Sequence, residues 1–133
     1  MMGNEIIILK NIDLKAADVR LRNDGIIQFL LKPNLTVNLS DAKEIVVAAG
    51  EVGEGKKYPI LISAGDFTLV DSEVRSFAAS EVANQYTIAG AIVIKNLAQK
   101  LLGNAYIKFN KPVTPTQLFN SETEAVKWLK TFI

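Results

Sequence analysis

The spacing of apolar and polar positions changes several times along the chain, and each change marks an element. Glu5-Ile6-Ile7-Ile8-Leu9 reads as a short strand. From Lys10 to Ala17 the pattern is ambiguous, although Ile12 and Leu14 alternate. Asp18-Val19-Arg20-Leu21-Arg22 alternates as a half-buried strand does, and Ile26–Leu31 is a second strand-like run. Asn23-Asp24-Gly25 lies between them, and Asp-Gly supplies the positive φ of a tight turn, so an antiparallel hairpin is predicted. Pro33 closes this region.

Beyond it the period lengthens. Ala42, Ile45, Val46, Ala49 and Val52 recur at helical spacing, which predicts an amphipathic helix over 41–52 with Ser40 as its N-cap and Gly53 and Gly55 as its stop. Pro59-Ile60-Leu61-Ile62-Ser63 is apolar throughout, the pattern of a strand buried on both faces, with Ile62 expected deep in the core. Asp71 is placed to cap a helix over about 72–80, with Val74, Phe77 and Ala78 inward. Ala89–Ile94 is a further strand, and Asn96 caps a helix whose period runs through Leu97, Leu101, Leu102, Ala105 and Phe109. Val113–Phe119 is a last strand, irregular or at an edge because of Pro112 and Pro115. Ser121-x-x-Glu124 is a capping box that opens a final helix carrying Val126, Trp128, Leu129 and Phe132. Three strands followed by helix–strand alternation imply crossover helices and parallel pairs. The fold class read from this order is a single α/β domain over 1–133, with a mixed β-sheet, an N-terminal antiparallel hairpin and alternating helix–strand units.

Composition narrows the chemistry more than the architecture. A chain of 133 residues with 49% hydrophobic and 22% charged residues can bury a core without staples. It has no Cys and no His, which excludes disulfides, thiolate nucleophiles, Cys/His zinc sites and His-based triads. The net charge is +1, and neither half is polarised: residues 1–66 carry 8 basic and 9 acidic side chains, residues 67–133 carry 7 and 5. No basic stripe suggests nucleic acid. The apolar run near the N-terminus is too short for a signal peptide or a membrane span, and Ile7 stands where a myristoylation signal has Ser or Thr. A reducing, cytoplasmic setting is expected.

Several constellations bear on chemistry. Gly50-Glu51-Val52-Gly53-Glu54-Gly55-Lys56-Lys57 approaches a phosphate-binding loop, but Lys57 replaces the magnesium-holding Ser or Thr. The segment also follows a helix rather than opening one, so a helix stop with solvated lysines is the simpler reading. Asp66 and Asp71 flank the end of the central strand and are candidate magnesium carboxylates, though Asp71 is better used as a cap. Ser63 with Lys56 or Lys57 has no spacing that demands a Ser–Lys pair. Tyr86, Tyr106 and Trp128 are candidate pocket liners, and equally core aromatics. No cofactor, no metal and no catalytic residue is expected, and the chain does not read as an enzyme.

Ile60-Leu61-Ile62-Ser63-Ala64-Gly65-Asp66-Phe67-Thr68-Leu69-Val70-Asp71-Ser72-Glu73 resembles the central segment of STAS domains, the anti-sigma-factor-antagonist or SpoIIAA-like modules. In those a hydrophobic strand leads to Asp-Ser-Ser-Gly at a helix start. Lys57-Tyr58-Pro59-Ile60-Leu61, Phe77-Ala78-Ala79, Phe109-Asn110-Lys111-Pro112 and Phe119-Asn120-Ser121-Glu122 resemble a group of small bacterial STAS-like proteins, related in fold to CRAL-TRIO lipid-binding domains. The resemblance implies a STAS-like fold over nearly the whole chain. It does not carry the phospho-switch across, because Glu73 occupies the position of the phosphorylated serine and Val74 replaces the glycine, while Ser72 sits one residue early.

Two functions follow as expectations. The first is a non-catalytic regulatory module that binds a protein partner through Asp66, Asp71, Ser72, Glu73 and Arg75, with homodimer formation as a further expectation. The second is a carrier of a small apolar ligand or lipid, held in a pocket beneath helices 72–80 and 97–109.

Overall fold

The structure is a computed structural model that describes residues 5–133, and the reading of Met1–Asn4 as free of a targeting signal lies outside them. Six strands form the main sheet: β1 (Ile8–Asp13), β2 (Ala17–Arg22), β3 (Ile27–Leu31), β5 (Tyr58–Ser63), β7 (Thr87–Val93) and β8 (Thr116–Phe119), in the order β1-β2-β3-β5-β7-β8. The first three pair antiparallel; β3–β5, β5–β7 and β7–β8 are parallel. Their crossovers are carried by α1 (Leu39–Val52), α2 (Ser72–Ala78) and α3 (Leu97–Ala105), and α4 (Glu122–Leu129) follows β8. A mixed α/β fold with an antiparallel start and alternating helix–strand units is therefore what the chain adopts.

The hairpin forms as its turn residues predict. Gly25 has φ +82, and Val19 pairs with Phe29 across the ladder. A contact the pattern did not reveal locks it: the buried Arg22 guanidinium forks onto Asp24, Nε to Oδ1 at 3.1 Å and Nη2 to Oδ2 at 2.7 Å.

Several assignments differ from expectation, the last strand among them, which begins at Thr116 rather than Val113. The first strand is not Glu5–Leu9 but Ile8–Asp13, because its partner β2 supplies ladder positions only as far as Arg22. Ile7 instead meets the turn, its carbonyl accepting from the Asn23 N–H at 2.9 Å. The α1 cap is Asn38, not Ser40. Asn38 Oδ1 accepts from the Asp41 N–H at 2.8 Å, and Asp41 Oδ2 accepts from the Asn38 N–H at 3.1 Å. Asp41 can close that reciprocal box, whereas Lys43, three residues after Ser40, has no acceptor to offer. Finally, Thr36–Val37 (β4) and Leu69–Val70 (β6) form a small parallel pair, each too short to show a period.

The sheet is covered on both faces. On one side Val19, Ile27 and Ile60 pack under Ile45, Ala48 and Val52 of α1. On the other Leu61, Ala89 and Ala91 pack under Ala125 and Leu129 of α4. The central strands are apolar on both faces for this reason. Ile62 departs from expectation: it is half-buried rather than sealed, because on its side of the sheet the helices leave a cavity.

Candidate functional site

That cavity is enclosed by the sheet together with helices α1, α2 and α3. It measures about 240 Å³, slightly below the range of roughly 300–1,000 Å³ usual for small-molecule sites. The sheet forms its floor through Phe29, Ile60, Ile62, Gly90, Ile92 and Thr116. Its walls come from Ile45 of α1, Val74 and Phe77 of α2, and Leu102 and Gly103 of α3, with Tyr106 beyond.

Two glycines help make this space. Gly90 faces the cavity in β7, where a Cβ would find nothing nearer than Thr116 Oγ1 at 3.9 Å. Gly103 brings α3 onto β8, its Cα side against Leu118. After Ala105 the helix widens into a π-helical turn, Tyr106–Asn110, that ends at Lys111 with φ +53. Burial pushes the Tyr106 hydroxyl up to a pKa of about 12, since the phenolate would lose its hydration.

Several polar groups on the lining are turned back into the protein. Thr68 Oγ1 donates to the Lys32 carbonyl at 2.6 Å. Asn84 Nδ2 donates to the carbonyls of Ala78 at 2.8 Å and Ser80 at 2.7 Å, and its Oδ1 accepts from Thr114 Oγ1 at 3.1 Å. Thr116 Oγ1 donates to the Thr114 carbonyl at 2.9 Å. Arg75 is the one charged residue on the lining, and its Nη1 donates to the Val70 carbonyl. What remains for an occupant is a largely apolar surface with one guanidinium at its edge and the hydroxyls of Thr87 and Tyr106 on the lining.

The five residues singled out from the sequence fall into two settings. Asp66 is exposed, with Lys95 Nζ 3.9 Å from its carboxylate. Asp71 caps α2, Oδ1 accepting from the Val74 N–H at 2.9 Å, and Ser72 and Glu73 beside it are exposed. Arg75 leaves this surface and joins the cavity wall. Among the described residues no three acidic side chains gather to hold a metal ion.

The other candidates are dispersed. Gly53 to Lys57 form the exit of α1, with positive φ at Glu54 and Gly55, and the lysines are exposed. Lys56 and Lys57 precede β5 whereas Ser63 ends it, so no Ser–Lys pair forms, and the buried Ser63 Oγ has no hydrogen-bond partner. Tyr86 packs against Gly50, and Trp128 stacks with Phe119 and Phe132 on the α4 side, leaving Tyr106 as the aromatic of the three on the cavity. Sequence reasoning missed Gly90 and Phe29. The small residues at Ala89-Gly90-Ala91 were the one available signal, and they do not say which face opens.

The strand order and helix placement define a SpoIIAA-like α/β module. Residues 19–133 match the model of the family described as a domain of unknown function (DUF7793), and the chain belongs to that family. It is similar in structure to an uncharacterized protein of the DUF3478 family with a SpoIIAA-like fold from Shewanella loihica PV-4. The TM-score is 0.55 at 15% identity, over 97% of this chain and 98% of that one. No curated protein matches the chain. No helix among the described residues is long and apolar enough to cross a membrane.

Proposed function

We propose that this protein is a non-catalytic binding module that takes a small amphipathic molecule into the cavity between the sheet and helices α1–α3, apolar body inward and acidic group against Arg75. The carrying observation is the cavity itself: a largely apolar space in which Thr68, Asn84, Thr114 and Thr116 are engaged by the protein, while Arg75 keeps further guanidinium N–H groups and the Thr87 and Tyr106 hydroxyls also lie on the lining. Hydrophobic transfer supplies the affinity, and the guanidinium orients an oxyanion by charge-assisted hydrogen bonds. Titration with a fluorescent medium-chain fatty acid tests this. Saturable binding that Arg75→Met weakens, with the matching fatty alcohol indifferent to that substitution, is the expected result. Absence of saturable binding by both probes would refute it.

A protein-interaction role through the start of α2 is the second reading, favoured by the exposure of Ser72 and Glu73 beside the capping Asp71. Glu73→Lys should then slow association with a basic partner at low salt, with little effect on folding. Equal association of the two proteins would remove this reading.

A further inference from the structure

The helix that closes the cavity has a second apolar side, and that side has no cover among the described residues. Leu102, Gly103 and Tyr106 line the cavity, whereas Leu97 and Leu101, one turn apart, stand in solvent at 69% and 61% exposure. Phe109 in the π-helical turn continues the exposed surface at 71%. The loop before β6 reaches the N-terminal end of α3, where Gln99 Nε2 donates to the Gly65 carbonyl at 3.4 Å. It carries Phe67, 80% exposed with φ +58. No residue of α3 is buried.

Charge decides among the occupants such a surface could have. Between Glu81 and Glu122 the chain has four lysines, Lys95, Lys100, Lys108 and Lys111, and no carboxylate side chain, although the whole protein is nearly neutral. Lys95 has Asp66 beside it; Lys100, Lys108 and Lys111 are in no ion pair among the described residues. Lys108 Nζ lies 5.4 Å from the Phe109 ring centre, so cation and apolar anchor project together. A two-fold copy of the chain on this face would set those lysines against themselves. We propose that α3 and the π-helical turn, flanked by Phe67, lie on an anionic lipid surface, with Leu97, Leu101 and Phe109 entering the headgroup boundary and the lysines meeting lipid phosphates. The segment 97–110 is too short to span a bilayer, which needs about 20 residues, and has the basic-apolar composition of a helix that lies in the interface plane. The cavity would then open beside a source of amphipathic ligands, yet docking does not require an occupied cavity.

Co-sedimentation of the full chain with vesicles tests this, using phosphatidylglycerol mixed into phosphatidylcholine and phosphatidylcholine alone. Binding to the anionic vesicles that falls with added salt is expected. Lys100→Gln and Lys108→Gln should each weaken it about five-fold. Leu101→Ser and Phe109→Ser should each weaken it about ten-fold or more, with thermal unfolding unchanged because these side chains are exposed. Gly90→Val, which fills the cavity, should bind vesicles as the native protein does, so failure of ligand binding and failure of docking are read separately. Three results would overturn the proposal: no sedimentation with anionic vesicles, Lys100, Lys108, Leu101 and Phe109 variants that all bind as the native chain does, or a concentration-dependent dimer that Leu101→Ser dissociates.

Discussion

Gly103 of α3 lies so close to Leu118 of β8 that a Cβ on the glycine would stand 2.7 Å from the leucine Cδ2. This approach sets the height of α3 above the sheet, and with it one wall of the cavity.

Gly103→Ala opposes two effects. Alanine favours the helix by about 1 kcal/mol, while overpacking against Leu118 costs about 1–3 kcal/mol. Both Leu118 methyl carbons lie within the clash, so overpacking should win and lift α3. Faster amide exchange in 97–105, with the α4 amides unchanged, is the expected readout of hydrogen–deuterium exchange.

Gly90→Val should do the reverse of harm to the fold. The position is open on the cavity side, and a β-branched residue suits a strand interior. Relief of the glycine penalty should raise stability by about 0.5–1 kcal/mol in denaturant unfolding. Because the new side chain occupies the cavity floor, fatty-acid binding should fall by ten-fold or more, about 1.4 kcal/mol.

The α1 cap is testable by a pair of substitutions. Asn38→Ala removes one side of the reciprocal box with Asp41 and should cost about 1 kcal/mol in denaturant unfolding. Ser40→Ala, at an exposed first-turn position, should stay within about 0.5 kcal/mol. Equal losses would return the cap to Ser40.

Tyr106 predicts an alkaline limit. Its folded-state pKa is raised by burial to about 12 from an ordinary value of 10.0. The folded protein therefore holds the phenol proton more tightly than the unfolded chain does. That contribution is complete below about pH 10 and is lost as pH rises toward 12. Tyr106→Phe should flatten the fall in stability across this window, measured by denaturant unfolding at stepped pH. A fall of unchanged steepness would assign it to other groups.

Much of the architecture was legible because it depends on local chemistry. Asp24-Gly25 turns the hairpin, Asp71 and Asn96 cap the helices assigned to them, and the run Pro59–Ser63 is apolar enough to need cover on both faces. The Ser121 hydroxyl also accepts from the Glu124 N–H at 3.2 Å, as its motif predicts. Where the reading slipped, the deciding partner was remote or the motif had a rival close by. Ile8–Asp13 owes its bounds to β2, and Ser40 yielded to Asn38 because the better acceptor pair was Asn38 with Asp41.

The candidate site was legible only in fragments. Arg75 follows the capping Asp71-Ser72-Glu73 turn in sequence, which groups it with that surface, but helical geometry carries its side chain back to the Val70 carbonyl and the cavity wall. The stripe Leu97, Leu101, Leu102, Phe109 has the period of a buried helix face, and the fold divides it: Leu102 lines the cavity while still 40% exposed, and Leu97, Leu101 and Phe109 face solvent. Periodicity along one helix states which side chains share a face; it carries no information about what lies opposite. The order of strands and helices, the hairpin and most caps were thus determined by neighbours a few residues apart. The cavity, its lone guanidinium and the uncovered side of α3 were decided by tertiary packing, because each depends on how far a helix stands from a strand distant in sequence.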